Sequence, residues 1–240
     1  MSSKIGLLPR LSFLQDIVSY AVSSLNPTLI HNVGKYLAIS KAFYVTSIEQ
    51  LPGDYLEFGV FTGSSLCHAM RCHKKSLRYA KEPAPTRFFG FDSFEGFGEV
   101  EEIDNHPFFE DSNFSIQYEK VKKRIRPFQK DLKVELIKGF YNESLKNGPQ
   151  SLGLEKARII FIDCDTYTGS KDAFKFCQSI VQNGTIIILD DWLSYNGSNN
   201  AGVAKAFNEF VDDTKLEVRE ISTYGIGSAM FVVSHVSNHS

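Results

Sequence analysis

Two short runs of the chain are apolar on both faces, and they restrict its fold more than any other feature. Residues 158–162 (RIIFI) and 185–189 (TIIIL) carry consecutive isoleucines without alternation of polar and apolar positions. Strands of this kind are typical of the middle of a parallel sheet, where helices cover both faces. The sequence therefore predicts an α/β fold around a buried parallel sheet.

The rest of the chain extends this pattern into alternating strands and helices. Further strands are predicted at residues 55–60, 87–91, 134–138, 216–222 and 229–234. Amphipathic helices are predicted at residues 64–79, 115–130, 169–182 and 200–212. Repeated β–α units of this kind build an open, doubly wound sheet of the Rossmann-like type.

The last two predicted strands are separated only by residues 223–228, which include Gly225 and Gly227. Parallel neighbours need a crossover of about a dozen residues or more, whereas antiparallel strands are joined by a short turn. We therefore expect a mostly parallel seven-stranded sheet that ends in a C-terminal antiparallel hairpin.

Residues 1–50 come before the first predicted strand and form a separate helical segment in this interpretation. Leu11, Leu14 and Val18 lie on an apolar stripe, and Asn26-Pro27 interrupts the helical pattern. We expect residues 1–50 to cap the site or to form a homodimer contact. Residues 51–240 are expected to form the main domain.

Charge and composition exclude several functional classes. Lys and Arg number 26 against 28 Asp and Glu, a net charge of -2, so no general positive field attracts nucleic acid. The apolar run after Arg10 is broken by Gln15 and Asp16, and no stretch reaches the roughly 18 to 20 apolar residues of a membrane span. Four cysteines show no disulfide spacing. We expect a cytoplasmic protein without a nucleic-acid or membrane partner.

The first strand runs through Glu57 and Phe58 into a turn bounded by Gly59 and Gly63, and a helix begins at Ser64. The glycines allow a ligand close to the backbone, and the helix start offers free N–H groups. The spacing is not that of a dinucleotide site, and no Walker lysine is present. An acid before the first glycine suits a positively charged ligand, whereas a tight turn with a helix cap is the alternative.

Acidic residues also follow three later strands. Asp92 follows the second strand, where it is expected to accept hydrogen bonds from the paired hydroxyls of a ribose or to cap a turn. Asp163 follows the fourth strand, and Asp190 and Asp191 follow the fifth. Clustered carboxylates repel one another unless a cation neutralises them, and oxygen ligands favour Mg²⁺. Capping of the next helices is the alternative.

Two other patterns point less clearly to chemistry. Cys67-His68 and Cys72-His73 have the residue types of a zinc site, but they fall on one predicted helix without a second pair. The pair Asp163 and Asp165 has the spacing found in phosphatases of the haloacid dehalogenase type. There the pair follows the first strand, so a phosphatase is the weaker interpretation.

Four motifs together resemble the macrocin O-methyltransferase (TylF) family of class I S-adenosylmethionine-dependent methyltransferases. They are residues 57–63 (EFGVFTG), 90–96 (GFDSFEG), 161–167 (FIDCDTY) and 184–192 (GTIIILDDW). The resemblance extends from about residue 50 to residue 212. The family includes sugar O-methyltransferases of antibiotic biosynthesis.

The resemblance implies a role for each matching residue. Contacts to S-adenosyl-L-methionine are implied for Glu57, Phe58, Gly59, Gly63, Ser64, Asp92, Ser93, Gly139, Phe140 and Asp163. Asp163, Asp190 and Asp191 would bind Mg²⁺, and either Asp190 or Asp191 would act as the base. Asp165 and Tyr167 would support this motif. The sequence departs from the family where Ala204 takes the place of an expected arginine.

The expected reaction is Mg²⁺-assisted methylation of a hydroxyl on a sugar or glycosylated small molecule. Residues 94–114 have no clear period and are expected to form a lid, whose aromatic residues would contact a sugar or close the site. His106 in this lid is a further candidate for the base. The alternatives are a Mg²⁺-dependent phosphate-ester hydrolase and a non-catalytic cofactor-binding protein.

Overall fold

A computed structural model describes residues 12–81, 84–98, 100–107 and 114–236 of the chain. Its strands are β1 (Asp54–Phe58), β2 (Phe88–Asp92), β3 (Val134–Lys138), β4 (Ala157–Ile162), β5 (Ile186–Leu189), β6 (Glu217–Tyr224) and β7 (Ser228–His235). They form one seven-stranded sheet in the order β3-β2-β1-β4-β5-β7-β6.

The strands of the sheet run in the predicted directions. Strands β1 to β5 run parallel, and β7 pairs antiparallel with both β5 and β6. The register places Phe58 beside Ile162 and Ile162 beside Leu189, so β1, β4 and β5 end at the same edge of the sheet. The predicted α/β fold with a C-terminal antiparallel hairpin is confirmed.

Helices cover both faces of this sheet. The helices of the described residues are α1 (Ser12–Ser23), α2 (Pro27–Ile48), α3 (Ser64–Ser76), α4 (Tyr118–Ile125), α5 (Tyr141–Ser144), α6 (Tyr167–Cys177), α7 (Ser194–Gly197) and α8 (Gly202–Thr214). Helix α1 is exposed along residues 13–23 and does not cover the sheet. Two 3-10 turns lie at Glu102–Asp104 and Pro149–Leu152. No helix among these residues is long and apolar enough to cross a membrane.

Helix α4 begins later than the sequence predicts. The pattern places its start at residue 115, but Ser115 pairs with Glu95 in an isolated antiparallel bridge. An extended residue cannot also begin a helix, so the helix starts at Tyr118. Tertiary pairing here overrides local helix propensity.

Helix α2 belongs to the hydrophobic core although it precedes the first strand. Ile39 and Phe43 on this helix are fully buried. The buried guanidinium of Arg158 in β4 donates hydrogen bonds to Thr46 at 2.8 Å and to Ser47 at 2.7 Å. These contacts fix the C-terminal part of α2 against the sheet. The division at residue 50 and the homodimer contact both stay predictions.

Candidate active site

A cavity of about 1290 Å³ lies at the carboxyl ends of the parallel strands. Ligands of open parallel sheets bind at this edge. The cavity is lined by residues from the turn after β1, the ends of β2, β4 and β5, the loop at residues 93–106, and helix α2. The polar side chains that the sequence places at four strand ends therefore share one space with the N-terminal helix.

The turn after β1 brings backbone to the wall of the cavity. Gly59 has a φ of 91°, and a Cβ atom there would overlap the carbonyl oxygen of Asp163. Only glycine fits this close approach of two strand ends. Gly63, with a φ of 74°, precedes α3, and Ser64 lines the cavity at the first residue of that helix.

Glu57 and Phe58 lie beneath this turn rather than in the cavity. The fully buried Glu57 carboxyl group accepts hydrogen bonds from the Tyr55 hydroxyl at 2.6 Å and the Ser65 hydroxyl at 2.7 Å. Burial raises the pKa of Glu57 to about 7, against the lowering effect of these hydrogen bonds. Phe58 stacks on Phe91 at a centroid distance of 4.7 Å. Both residues support the turn in this structure, and their contact with the cofactor stays a prediction.

Asp92 lines the cavity and also holds the first turn in place. Its Oδ2 accepts hydrogen bonds from the backbone N–H groups of Val60 at 2.8 Å and Phe61 at 2.7 Å. Its Oδ1 accepts from the N–H of Phe94 at 2.6 Å. A carboxylate offers about four acceptor positions, so Asp92 keeps capacity for a ligand hydroxyl. Asp92 therefore caps the turn, as the alternative interpretation predicts, and it can still accept a hydrogen bond from a ligand.

The remaining residues proposed for the cofactor lie around Asp92. Ser93 and Phe140 line the same cavity. The Ser93 hydroxyl donates a hydrogen bond to the carbonyl oxygen of Gly96 at 2.6 Å. Gly139 lies behind the wall, where its N–H donates to the carbonyl oxygen of Asp92 at 3.0 Å. The strand end at residues 139–140 therefore adjoins the strand end at Asp92, as parallel pairing requires.

The aspartates after β4 and β5 converge. One carboxylate oxygen from each of Asp163, Asp190 and Asp191 lies within 4.8 Å of the others. Asp165, which has a φ of 61°, lies near enough to Asp191 for each carboxyl group to shift the pKa of the other. Oδ2 of Asp191 is buried without a hydrogen-bond partner. An orphaned carboxylate oxygen beside two others, all hard oxygen donors, fits a divalent cation such as Mg²⁺.

Two basic side chains from α2 also reach this cluster, and sequence reasoning missed both. Nζ of Lys35 lies 2.9 Å from Oδ2 of Asp163 and 2.7 Å from Oδ2 of Asp190. Nε2 of His31 lies 3.0 Å from the same oxygen of Asp190. His31 and Lys35 are four residues apart, so they share one face of the helix. That spacing was the available signal, but nothing local shows where the helix packs.

The two oxygens of Asp190 are engaged by donors from different elements. Besides His31 and Lys35 on Oδ2, the Tyr224 hydroxyl donates to Oδ1 at 2.8 Å. Burial raises the pKa of Asp190, but the hydrogen bond from His31 and the charge of Lys35 outweigh it and hold that pKa below the usual range. Burial alone would lower the pKa of Lys35. The negative charges of Asp163 and Asp190 outweigh burial and raise this pKa, so the ammonium group stays charged.

The pKa values of Asp163, Asp165 and Asp191 are shifted upward, in the opposite direction to that of Asp190. Burial raises the pKa of Asp163 and Asp191 well above their usual range, and it raises that of Asp165 to about 7. Neighbouring carboxylates add to the rise in each case. A single ammonium group therefore does not neutralise this cluster, which favours an additional cation or retained protons.

The loop predicted as a lid is anchored at Asp104, which sequence reasoning also missed. The buried Asp104 carboxylate accepts hydrogen bonds from the N–H groups of Tyr167 at 2.6 Å and Thr168 at 3.3 Å. It thereby caps the start of α6. The Tyr195 hydroxyl donates to the carbonyl oxygen of Asp104 at 3.0 Å, and the His106 ring lies 4.9 Å from the Tyr195 ring.

The aromatic residues of this loop divide between packing and the cavity. Phe94 is buried against Tyr118, with ring centroids 5.0 Å apart. Phe97 and Phe114 line the cavity, and their ring centroids are 5.1 Å apart. Phe108 and Phe109 lie outside the described residues. Phe97 and Phe114 therefore form part of the cavity wall, whereas Phe94 packs in the protein interior.

The cysteine and histidine pairs of α3 do not form a metal site. Nε2 of His68 contacts Sγ of Cys72 at 3.1 Å and the carbonyl oxygen of Tyr36 at 3.0 Å. The His68 ring stacks on Tyr36 at 4.0 Å. Within residues 12–81, 84–98, 100–107 and 114–236, the cluster suited to a metal ion is the one at Asp163, Asp190 and Asp191.

Comparison with known proteins agrees with this fold. The family model of the macrocin-O-methyltransferase (TylF) matches residues 35–225. The solved O-methyltransferase NovP is 17% identical, with a TM-score of 0.67 over 85% of this chain and 81% of that one. The calicheamicin methyltransferase CalS11 is 19% identical, with a TM-score of 0.65 over 97% and 93%.

A third solved structure is more distant. It is an O-methyltransferase from Bacillus cereus in complex with SAH, 14% identical, with a TM-score of 0.54 over 98% of this chain and 93% of that one. No curated protein matches the chain in sequence. The solved structures share the class I methyltransferase fold. The chain itself belongs to the macrocin O-methyltransferase (TylF) family and is an S-adenosylmethionine-dependent O-methyltransferase.

Proposed function

We propose that the protein methylates a hydroxyl group of a sugar or glycosylated small molecule and holds Mg²⁺ at Asp163, Asp190 and Asp191. The observation that carries this proposal is the convergence of those three carboxylates in the cavity that also contains the glycine turn and Asp92. Metal ligands and cofactor contacts then share one space. A hydroxyl can reach both groups there.

The cofactor is assigned to the side of the cavity formed by β1 and β2. Gly59 and Ser64 would lie along its methionine part, with Glu57 and Phe58 fixing the turn from below. The one remaining acceptor position of Asp92 suits a ribose hydroxyl, and Ser93 and Phe140 lie beside it. The sulfonium group of S-adenosylmethionine is positive, which suits a cavity rich in carboxylates.

The acceptor is assigned to the side formed by α2 and the α7 region. Thr28, His31, Asn32 and Lys35 face the cavity from successive turns of α2. The cavity of about 1290 Å³ exceeds the usual range of roughly 300 to 1,000 Å³ for small-molecule sites, which leaves room for an acceptor beside the cofactor. CalS11, one of the similar structures, is described as a TDP-rhamnose 3'-O-methyltransferase, so a sugar acceptor has a precedent in this fold.

The protein contributes charge placement and alignment to the reaction. When bound, Mg²⁺ supplies a lower pKa to a hydroxyl that it contacts. Oδ2 of Asp191 has no hydrogen-bond partner, whereas both oxygens of Asp190 already accept hydrogen bonds. Asp190 and Asp191 both stay candidate bases, because the free oxygen of Asp191 is also the one assigned to the metal ion. Phe97, His106 and helix α2 line the cavity, and a bound cofactor and acceptor that displace water there would strengthen charge interactions inside.

The decisive experiment measures methyl transfer and metal dependence separately. Calorimetry of S-adenosylhomocysteine binding, with and without Mg²⁺, tests the cofactor site. A screen of glycosides with methyl-labelled S-adenosylmethionine, repeated with EDTA, tests the acceptor class and the metal. We expect micromolar S-adenosylhomocysteine binding, labelled glycoside, and loss of label with EDTA.

Variants distinguish the metal role from general loss of fold. Asp163→Asn should reduce turnover strongly while it weakens S-adenosylhomocysteine binding far less, because Asp163 is only one of the residues expected to contact the cofactor. The matched control is Asp131→Asn, because Asp131 is exposed and pairs with Lys74 away from the cavity. Full turnover in Asp163→Asn, or in EDTA, would contradict the metal proposal. Phosphate release from sugar phosphates without methyl transfer would favour the hydrolase instead.

A further inference from the structure

Asp190 accepts hydrogen bonds at both oxygens, and this limits how a metal ion can bind. Oδ2 receives Lys35 at 2.7 Å and His31 at 3.0 Å. Oδ1 accepts a hydrogen bond from the Tyr224 hydroxyl at 2.8 Å, whereas the Ser228 hydroxyl donates its proton to the backbone carbonyl oxygen of Asp190. A carboxylate oxygen has two lone pairs, so Lys35 and His31 occupy both acceptor positions of Oδ2. A metal ion can use Oδ2 of Asp190 only when one of these two donors withdraws.

Lys35 is the donor best able to withdraw. Its side chain has a flexible four-carbon stem, whereas the imidazole of His31 is held at its other nitrogen by the N–H of Ile226 at 3.4 Å. Tyr224 and Ser228 belong to the β6–β7 hairpin and sit on strands of the sheet. Lys35 also contacts Asp163, so its movement frees oxygens of two proposed metal ligands at once.

The distances make simultaneous occupancy unfavourable. Mg²⁺ binds carboxylate oxygens at about 2.0 to 2.1 Å. An ion on Oδ2 of Asp190 would therefore lie less than about 5 Å from an ammonium group that is 2.7 Å from the same oxygen. A divalent and a monovalent cation at that separation repel strongly in a site where water is limited.

We propose that Lys35 is an internal counter-ion that competes with the divalent cation for the carboxylates of Asp163 and Asp190. The ammonium group holds the two aspartates in position when no ion is bound, and it leaves the shared oxygens when the ion enters. This inference rests on the proposed function, because it requires that the aspartates bind a metal. It adds that a residue of α2 sets the affinity of that metal.

The test measures metal binding without turnover. Mn²⁺ serves as the probe because it takes the same oxygen ligands as Mg²⁺ and is visible by electron paramagnetic resonance. Free Mn²⁺ is titrated against the wild type, Lys35→Met, and the matched control Lys41→Met. Lys41 lies on the same helix and donates to the Ser222 hydroxyl at an exposed site.

We expect the dissociation constant for Mn²⁺ to fall about tenfold or more in Lys35→Met, because a repelling charge is removed. Lys41→Met should bind Mn²⁺ like the wild type. Thermal unfolding gives a second reading: Lys35→Met should unfold at a lower temperature than the wild type, and saturating Mn²⁺ should raise its midpoint by more. The added variant Lys35→Met/Asp191→Asn should lose most of the gained affinity, which places the ion at this cluster.

Each outcome separates this inference from the metal proposal. Equal or weaker Mn²⁺ binding in Lys35→Met than in the wild type overturns the competition but leaves the metal site intact. Binding by Lys35→Met alone supports competition in its strongest form. Absence of binding in every variant overturns both proposals. A Lys35→Met protein that fails to fold without Mn²⁺ but folds with it supports the competition as well.

Discussion

Gly34 on α2 lies directly against Gly225 in the turn between β6 and β7. A Cβ atom on Gly34 would lie 2.5 Å from the backbone nitrogen of Gly225. A Cβ on Gly225, whose φ is 56°, would lie 2.6 Å from Nδ1 of His31. The two glycines therefore allow helix and hairpin to approach closely enough for His31 and Lys35 to reach Asp190.

The first prediction follows from this contact. Gly34→Ala should lower the free energy of unfolding by about 1 to 3 kcal/mol, because backbone atoms of the hairpin must shift. Without a clash, alanine would raise the free energy of unfolding by about 1 kcal/mol, because it favours the helix over glycine. A decrease in the free energy of unfolding therefore indicates the clash. Urea unfolding measures it. Binding of S-adenosylhomocysteine should change little.

The matched control for this variant is Val33→Ala. Val33 is the preceding residue of the same helix and is 53% exposed, so alanine gains helix propensity there without a clash. We expect its stability to equal or exceed that of the wild type. A Gly34→Ala protein as stable as Val33→Ala would show that the helix and hairpin do not need this close approach.

Much of this architecture could be predicted from local sequence. The runs at 158–162 and 185–189 identify central strands because burial on both faces selects apolar side chains after the hydrogen-bonded Arg158 and Thr185. The short link at 223–228 predicts the hairpin on grounds of chain length. The carboxylates at Asp163, Asp190 and Asp191 follow from parallel register, since strands that end together bring their next residues together.

The parts that could not be predicted depend on distant contacts. Lys35 and Asp163 are 128 residues apart in the chain, and no local pattern specifies how α2 packs on the sheet. Asp104 lies 63 residues from Tyr167, in a segment without helical or strand period. Such contacts arise from tertiary packing, so sequence alone gives candidate residue types but not their partners.

The second prediction concerns Asp104. Asp104→Ala removes the acceptor for the N–H groups of Tyr167 and Thr168 at the start of α6. We expect a loss of about 1 to 3 kcal/mol in unfolding free energy, because buried donors lose their partner. Limited proteolysis should also cut faster within residues 94–114. Both effects are read on the same purified variant.

Asp104→Asn provides the graded comparison, because its amide oxygen still accepts hydrogen bonds while its charge is lost. Its stability should lie between those of the wild type and Asp104→Ala. If proteolysis in the loop is unchanged in Asp104→Ala, the carboxylate does not anchor the loop, whatever its effect on α6.

The third prediction concerns the pH dependence of stability through Glu57. Burial raises its pKa to about 7 in the folded protein, whereas an unfolded glutamate titrates near about 4.3. Between these values the unfolded chain releases a proton that the folded chain keeps. The free energy of unfolding therefore falls as pH rises through this window, by at most about 3.7 kcal/mol, and the loss is complete above the folded pKa.

Glu57→Gln imitates the protonated carboxyl group and should flatten this dependence. Unfolding in urea at pH 5, 6, 7 and 8 compares it with the wild type and with Glu135→Gln, an exposed residue of β3. Asp165, whose pKa burial also raises to about 7, contributes a slope of the same sign in all three proteins. The difference between variants therefore isolates Glu57. Parallel curves for the wild type and Glu57→Gln would refute the assignment.

The fourth prediction concerns the charge of the acceptor. Among the described residues, the acids that line the cavity are Asp92, Glu101, Asp163, Asp165, Asp172, Asp190 and Asp191. Lys35 is the one lysine or arginine among the described lining residues, and it is already paired with two aspartates. Bound Mg²⁺ would leave an excess of acid. We therefore expect neutral or cationic glycosides to be better acceptors than nucleoside-diphosphate sugars.

The effect of salt on the affinity for TDP tests this prediction. Calorimetry measures the binding of TDP to protein saturated with S-adenosylhomocysteine and Mg²⁺, at low and high ionic strength. Because like charges repel less when they are screened, we expect binding weaker than about 1 mM that improves with salt. Micromolar binding that weakens with salt would instead indicate a positive subsite and a nucleotide-linked acceptor. Such a subsite would have to include residues outside those described, since the described wall offers no lysine or arginine besides Lys35.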